Sequence, residues 1–320
     1  MAMKKILVIT NEDDPHADKV IQKLGDCVFR LNTEMILNDF NIGISILSHS
    51  NKEISIKGYD RKIAFEEIGS VYYRRPIKPV VEESELSEIR EGEAWGALYH
   101  FLYGLDNLPW MGHPLRDKRN SSRMLQLNTA VDVGFQIPNT LISRDSKEIR
   151  RFVKKCGLVA VKPIHMRGLT QDDKWIPYFT EVISYDRFNE LDEDVLTSTY
   201  NYIQKYIPKK REWRVTIVGD SIFPCVLESQ NAVGGEEDWR KIKYSSIKHY
   251  FEELPDAITE MILKYCRKLK LPFGAMDLIE TPEGDWYFLE CNPNGQWLWI
   301  EELTNQPIST AIAAWHKAHL

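Results

Sequence analysis

The sequence predicts an α/β protein: a parallel sheet covered by helices, followed by further mixed α+β units. Three observations carry this. Lys5–Thr10 (KILVIT) is a continuous apolar run of strand length, typical of a buried strand. A helix pattern around Val20–Leu24 and a second strand at Cys27–Leu31 complete a βαβ opening. At 320 residues the chain exceeds one average domain, so two or three packed units are expected.

Taken in order, Ile42–Leu47 and Glu53–Lys57 read as a hairpin, and Ser70–Tyr73 as a short strand ending in Arg74-Arg75-Pro76. Glu82–Leu105 is helical, acidic at its start, with Trp95, Leu98, Leu102 and Leu105 at three-to-four spacing. Two prolines and a glycine in Leu108–Pro114 break that helix, which places the end of an N-terminal unit (1–114) there. A central unit (115–200) is expected to hold a helix at Ser121–Val133 ended by Gly134, a strand at Pro138–Ser143 and a helix at Ser146–Cys156 capped by Ser146. Leu158–Pro163 (LVAVKP) follows as a strand, then a β-rich stretch. The C-terminal unit (201–320) is expected to contain strands at Tyr200–Ile207, Trp213–Gly219 and Ile222–Glu228 and a helix at Pro255–Leu269. Gly274–Glu280 and Trp286–Glu290 then form a hairpin, and a last helix starts near Pro307.

Composition narrows the function classes. Hydrophobic residues make up 43%, enough for a sizeable core. A net charge of −6 argues against a nucleic-acid-binding surface, which is normally strongly basic. The five scattered cysteines include no CxxC pair, which suits a reducing, cytoplasmic setting and argues against a disulfide framework or a zinc site. No apolar stretch approaches membrane-spanning length.

The strongest chemical signal is C-terminal. Asp277 lies in GAMDLIE, and Glu290 and Asn292 lie in FLECNPNG. Alternation along a strand turns Glu290 and Asn292 the same way, and a hairpin partner can bring Asp277 beside them. Two carboxylates and an amide oxygen are hard ligands suited to magnesium. Asp277 alone reads as a solvated acid beside a turn, but the trio on core-like strands reads as a metal site, because burying two carboxylates without a cation is costly. Lys162 ends a buried strand before Pro163 and can offer one ammonium to phosphate, although a strand-ending lysine often just marks the surface. No GxxxxGK[ST] or GxGxxG occurs. Gln204–Ile207 ends a strand in a pattern suited to an edge that pairs with adenine. Arg214, in Glu212-Trp213-Arg214, can hold a phosphoryl group or a carboxylate bidentately, or form a surface pair with Glu212; both readings stand. Asp238-Trp239-Arg240 follows a glycine-bearing loop that could close Arg240 over phosphates or be a plain surface loop. No Ser-His-Asp or Cys-His arrangement is identifiable.

In this order Lys162, Gln204–Ile207, Arg214, Asp277, Glu290 and Asn292 resemble the ATP-grasp superfamily over roughly residues 115–300. The resemblance implies an ATP-grasp fold, here behind an N-terminal βαβ pre-ATP-grasp domain. It implies Lys162 and a second basic residue, Lys118 or Arg119, on the phosphates of ATP, and Gln204, Lys205, Tyr206 and Ile207 on adenine. Arg214 would contact phosphate or acyl phosphate, and Asp277, Glu290 and Asn292 would bind Mg2+. A narrower set of motifs is similar to the microviridin-type (graspetide) macrocyclases of ribosomally made peptides. These are VYYRRP (Val71–Pro76), LPWMGHP (Leu108–Pro114), Met124–Leu127 with Gly134, Ile137–Thr140, Asp238-Trp239-Arg240 and Asn292–Trp297. That likeness implies activation of Asp or Glu side chains of a precursor peptide as acyl phosphates, attacked by Ser or Thr hydroxyls (esters) or a Lys amine (amides). It implies Lys162, Arg214 and Arg240 as catalytic residues, Arg74, Arg75, Asp238 and Arg240 as peptide contacts, and a leader-plus-core peptide as the partner. A homodimer is compatible with the sequence. Glu212, Asp238 and His165 remain open as the general base. The alternatives are an ATP-grasp ligase that adds an amino acid to a protein tail or a small acid, and a non-catalytic nucleotide-binding scaffold.

Overall fold

A computed structural model describes residues 4–48, 51–165, 168–171, 174–231, 241 and 247–320. The opening is the expected βαβ unit. β1 (Lys5–Thr10) is followed by α1 (Pro15–Leu24) and β2 (Val28–Asn32). Helix α1 begins earlier than the apolar pattern alone indicates. Asp14 caps it by accepting the His16 and Ala17 N–H groups, and Pro15 is preset for the first turn. A three-stranded antiparallel sheet, β3 (Phe40–Ser48), β4 (Asn51–Gly58) and β5 (Arg61–Ala64), extends the predicted hairpin by one strand. Then come β6 (Ile68–Tyr73), α2 (Ser87–Gly104) and β7 (Trp110–Met111). The parallel sheet runs β2-β1-β6-β7. Ile6 to Ile9 of β1 have no exposed surface, Ile6 and Val8 facing one core and Leu7 and Ile9 the other, which is why this strand reads as an unbroken apolar run.

Two helices follow. α3 (Pro114–Asn120) was not anticipated, and α4 (Arg123–Asp132) is capped by Ser122. The sheet of the next unit has the order β12-β9-β13-β8, from β8 (Thr140–Ser143), β9 (Leu158–Lys162), β12 (Glu181–Ser184) and β13 (Asn201–Lys205). Helix α5 (Ser146–Cys156) covers it; its cap is Asp145, which accepts the Glu148 N–H, rather than Ser146. β10 (Gly168–Gln171) and β11 (Lys174–Pro177) pair on their own. Two short helices, α6 (Tyr185–Asn189) and α7 (Glu193–Thr197), interrupt the stretch expected to be β-rich. Ile149, Val153, Val159, Phe188, Leu196 and Ile203 form this unit's own small core.

The last sheet has the order β16-β15-β14-β17-β18 and is antiparallel throughout. Its strands are β14 (Arg211–Val218), β15 (Ser221–Leu227), β16 (His249–Tyr250), β17 (Phe273–Glu280) and β18 (Trp286–Asn292). α8 (Asp256–Leu269) and α4 pack on one face, since Leu127, Ala130, Ile258 and Ile262 share a core with Trp213, Val215 and Met276. α9 (Leu298–Thr304) and α10 (Ile308–Lys317) pack on the other, and α10 lies against α1. A single core thus joins Ile6 and Tyr72 of the first sheet and Val20 of α1 to Phe223 of the last sheet, to Trp297 and to Ile312 of α10. Among the described residues no helix is long and apolar enough to cross a membrane.

Candidate active site

The site lies where β14, β17 and β18 run side by side. Arg214 is in register with Asp277, and Asp277 with Glu290, so three charged side chains stand in a row across three strands. An irregularity between Asp277 and Leu278 shifts the register past this point; such bulges re-aim a side chain. Along β18, Cys291 points into the core while Glu290 and Asn292 flank it, half-buried, on the opposite face. Burial pushes the Cys291 thiol well above its ordinary range.

Both carboxylates are held by guanidinium groups. Arg214 Nη1 donates to Asp277 Oδ1 at 2.8 Å and Oδ2 at 2.9 Å. Arg123 donates from the first turn of α4 to Glu290 Oε2. Arg214 is thereby an ion-pair partner of Asp277, while Glu212 on the same strand pairs with Lys209 at 3.0 Å and accepts the Ser229 hydroxyl at 2.6 Å. The surface pair of Glu212 with Arg214 does not form. Among the described residues no group of three His, Cys, Asp or Glu could hold a metal. The donor set here is instead two carboxylates and an amide, with positive charge drawn to both acids. Oxygen donors of this kind fit a hard cation, which would share the two acids with Arg214 and Arg123.

Lys162 stands at the end of β9, opposite Tyr202 on β13. Its Nζ donates to Gln204 Oε1 at 2.8 Å, and Gln204 Nε2 donates to Thr140 Oγ1 at 3.0 Å. Gln204 is 1% exposed, so its side chain orients Lys162. The Lys205 and Tyr206 N–H groups are engaged by Asn139 O and Leu158 O, which fixes the segment leading from this unit to β14.

A second group of expected residues converges on a pocket of about 300 Å³ between the first sheet and the loop after β18. Arg75, Lys118 and Asn292 all line it, with Asp117 and Ser121. Gly112 makes the approach of the strands there feasible: its φ is +88°, and a Cβ would collide with the Tyr73 carbonyl oxygen. Arg75 has φ 46°, a left-handed conformation that is strained for a residue with a side chain. Burial pushes the Asp117 carboxyl up to about 8, against the smaller opposing effect of Arg116. Arg119 is exposed on the same helix, and His165 is exposed beyond β9. Arg74, expected beside Arg75 as a peptide contact, is turned inward and is 1% exposed. Asp238, Trp239 and Arg240 lie outside the described residues.

Sequence reasoning missed Arg123 and Asp117, and it gave Asn294 and Gly295 no role beyond the Asn292–Trp297 motif. One signal for Arg123 was present: it opens α4 directly after the Ser122 cap, where the helix dipole disfavours a cation. An arginine at that position calls for an acidic partner.

No family profile matches the chain, and no curated protein matches it. Solved structures do. A RiPP-associated ATP-grasp ligase from Chryseobacterium gregarium, in complex with ADP and a leader and core peptide, is 28% identical over 99% of this chain and 98% of its own, with a TM-score of 0.90. The macrocyclase MdnC from Microcystis aeruginosa MRC, bound with precursor peptide MdnA, is 25% identical over 99% and 100%, with a TM-score of 0.82. The macrocyclase MdnB from the same source is 25% identical over 98% and 99%, with a TM-score of 0.77. By its fold and by likeness over its whole length, this chain is an ATP-grasp ligase resembling the macrocyclases of ribosomally made peptides.

Proposed function

We propose that this enzyme uses ATP and Mg2+ to activate Asp or Glu side chains of a precursor peptide and closes rings onto Ser, Thr or Lys side chains of the same peptide. The observation that carries this reading is the joint one: likeness at TM-score 0.90 to a ligase holding ADP and peptide, with Asp277, Glu290 and Asn292 drawn together on β17 and β18. A carboxylate is a poor electrophile. Its oxygen attacks the terminal phosphorus of ATP, ADP departs with the bonding electrons, and an acyl phosphate results. The hydroxyl or amine then adds to the acyl carbon, phosphate leaves, and the nucleophile's proton goes to a nearby base.

Each residue has a task in this scheme. Lys162, oriented by Gln204, places a point charge against phosphate. Lys118 and Arg75 present charge from the pocket beside Asn292, toward the phosphates and the peptide respectively. Arg214 and Arg123 hold Asp277 and Glu290 in place, and Arg214 stabilises charge that develops during transfer. Asp277, Glu290 and Asn292 would hold magnesium, which supplies Lewis-acid charge to phosphate oxygens. Because donor and acceptor belong to one peptide, tethering supplies a high effective concentration without a strong base.

The test is to incubate enzyme, ATP, magnesium and the precursor peptide encoded nearby, then record intact mass. Each ring should remove one water, reversed by mild base for esters and resistant to it for amides. A gain of one amino-acid residue, or no product unless an amino acid is added, would sink the macrocyclase reading and leave the ATP-grasp ligase standing.

A further inference from the structure

Arg74 directly follows β6 of the N-terminal sheet, yet it is among the largest fully buried side chains of the described residues. Placing a guanidinium there is costly unless it is fully paired. It is not: its Nε and Nη2 have no hydrogen-bond partner among the described residues. Packing alone would favour an apolar residue of similar size, so the bonds Arg74 does make are what the position selects.

Those bonds lead to the metal site. Arg74 Nη1 donates to Asn294 Oδ1 at 2.6 Å and to the Gly295 carbonyl oxygen at 3.2 Å. The Asn294 N–H in turn donates to Asn292 Oδ1 at 3.0 Å. An amide oxygen has two lone pairs, so this bond orients the oxygen and leaves it acceptor capacity. On its other side the guanidinium stands 3.8 Å from Asp14 Oδ2, and Asp14 is itself fixed as the cap of α1 and by the Thr10 hydroxyl at 2.9 Å. The same loop is pinned again three residues on. Trp297 has no exposed surface and packs edge-on against His16 of α1, with ring centroids 5.0 Å apart.

We propose that Arg74 is a positioning residue for the metal ligand Asn292, acting through Asn294, so that the N-terminal domain sets the affinity of the cation site. This rests on the magnesium site proposed above. Groups that orient metal ligands typically contribute ten- to a hundredfold in affinity.

The experiment uses Mn2+ as the probe, titrated into the full-length enzyme–ADP complex and followed by loss of the free-ion electron-spin signal. Arg74→Met and Asn294→Ala should each weaken Mn2+ binding about tenfold. The double variant should be no weaker than the worse single one, because both break the same link. ADP affinity without metal should stay within about threefold of wild type, which general damage to the fold would not spare. If Arg74→Met does not fold, Asn294→Ala alone still decides, since it breaks the link while Arg74 stays in place. Mn2+ affinity unchanged within about twofold in the folded variants, or additive losses in the double variant, overturns the proposal. Glu290→Gln separates the two readings. If it too leaves Mn2+ binding intact, the metal site itself is refuted; if it alone abolishes binding, only the role of Arg74 falls.

Discussion

Replacing Gly295 by alanine tests how closely the loop after β18 must approach the arginine that spans β14 and β17. A Cβ at Gly295 would overlap the Ala275 methyl, stand 2.9 Å from Arg214 Nη2 and touch Asn292 Cβ at 3.5 Å. Carbon atoms rest at about 3.5–4.0 Å, so the clash with Ala275 requires a shift of about 1 Å. Ala275 has no exposed surface and sits on a central strand, so the loop must yield, and Asn292 and Asn294 move with it. A displacement of about 1 Å at a reacting centre costs about a hundredfold in rate, which corresponds to about 2.7 kcal/mol. Overpacking should also lower stability by about 1–3 kcal/mol. The assay is kcat/KM for peptide-dependent ADP release, with ADP binding and thermal unfolding recorded beside it. Ala275→Gly removes the struck methyl, so adding it to Gly295→Ala should recover most of the lost rate. A Gly295→Ala enzyme within about threefold of wild type would refute the reasoning, as would failure of the second substitution to recover any activity in a folded double variant.

Two further outcomes follow from the same geometry. Lys162→Ala should weaken ATP binding about tenfold or more, about 1.4 kcal/mol, in calorimetry; unchanged affinity would make Lys162 a surface lysine held by Gln204. The buried histidines should impose acid sensitivity. Burial, and then Arg74 and Arg75, lower His16 to about 3, while burial, and then His319, lower His316 to about 3. Both groups are therefore neutral in the folded state and protonate first in the unfolded one. Their contribution is complete above about pH 6.5 and is lost as pH falls toward the folded values. At about pH 5.5 each costs about 1.4 kcal/mol, so thermal unfolding should drop by several degrees between about pH 7 and pH 5.5. His316→Gln should remove about half of that drop; an unchanged slope would contradict it.

Local pattern determined a good deal. An unbroken apolar run means a strand buried on both faces, so β1 was legible to the residue. Alternation along β18 and a short turn to β17 were enough to group Asp277, Glu290 and Asn292, because a hairpin brings together residues near in sequence. Where two caps were adjacent, Asp145 and Ser146, the pattern chose the wrong one, since only backbone geometry decides which side chain reaches the free N–H.

Tertiary structure alone decided the partners of that trio. Arg123 reaches Glu290 across 167 positions, and Arg74 reaches Asn294 across 220. No periodicity encodes such pairings; they exist only once α4 packs on the last sheet and the first sheet shares its core with α10. The same holds for Arg74 and Arg75. Neighbours in sequence and alike in chemistry, they were read as one peptide-binding pair. Both lie just past β6, and Arg75 takes a left-handed backbone (φ 46°), so the fold buries Arg74 against Asn294 and Gly295 while it leaves Arg75 lining the pocket.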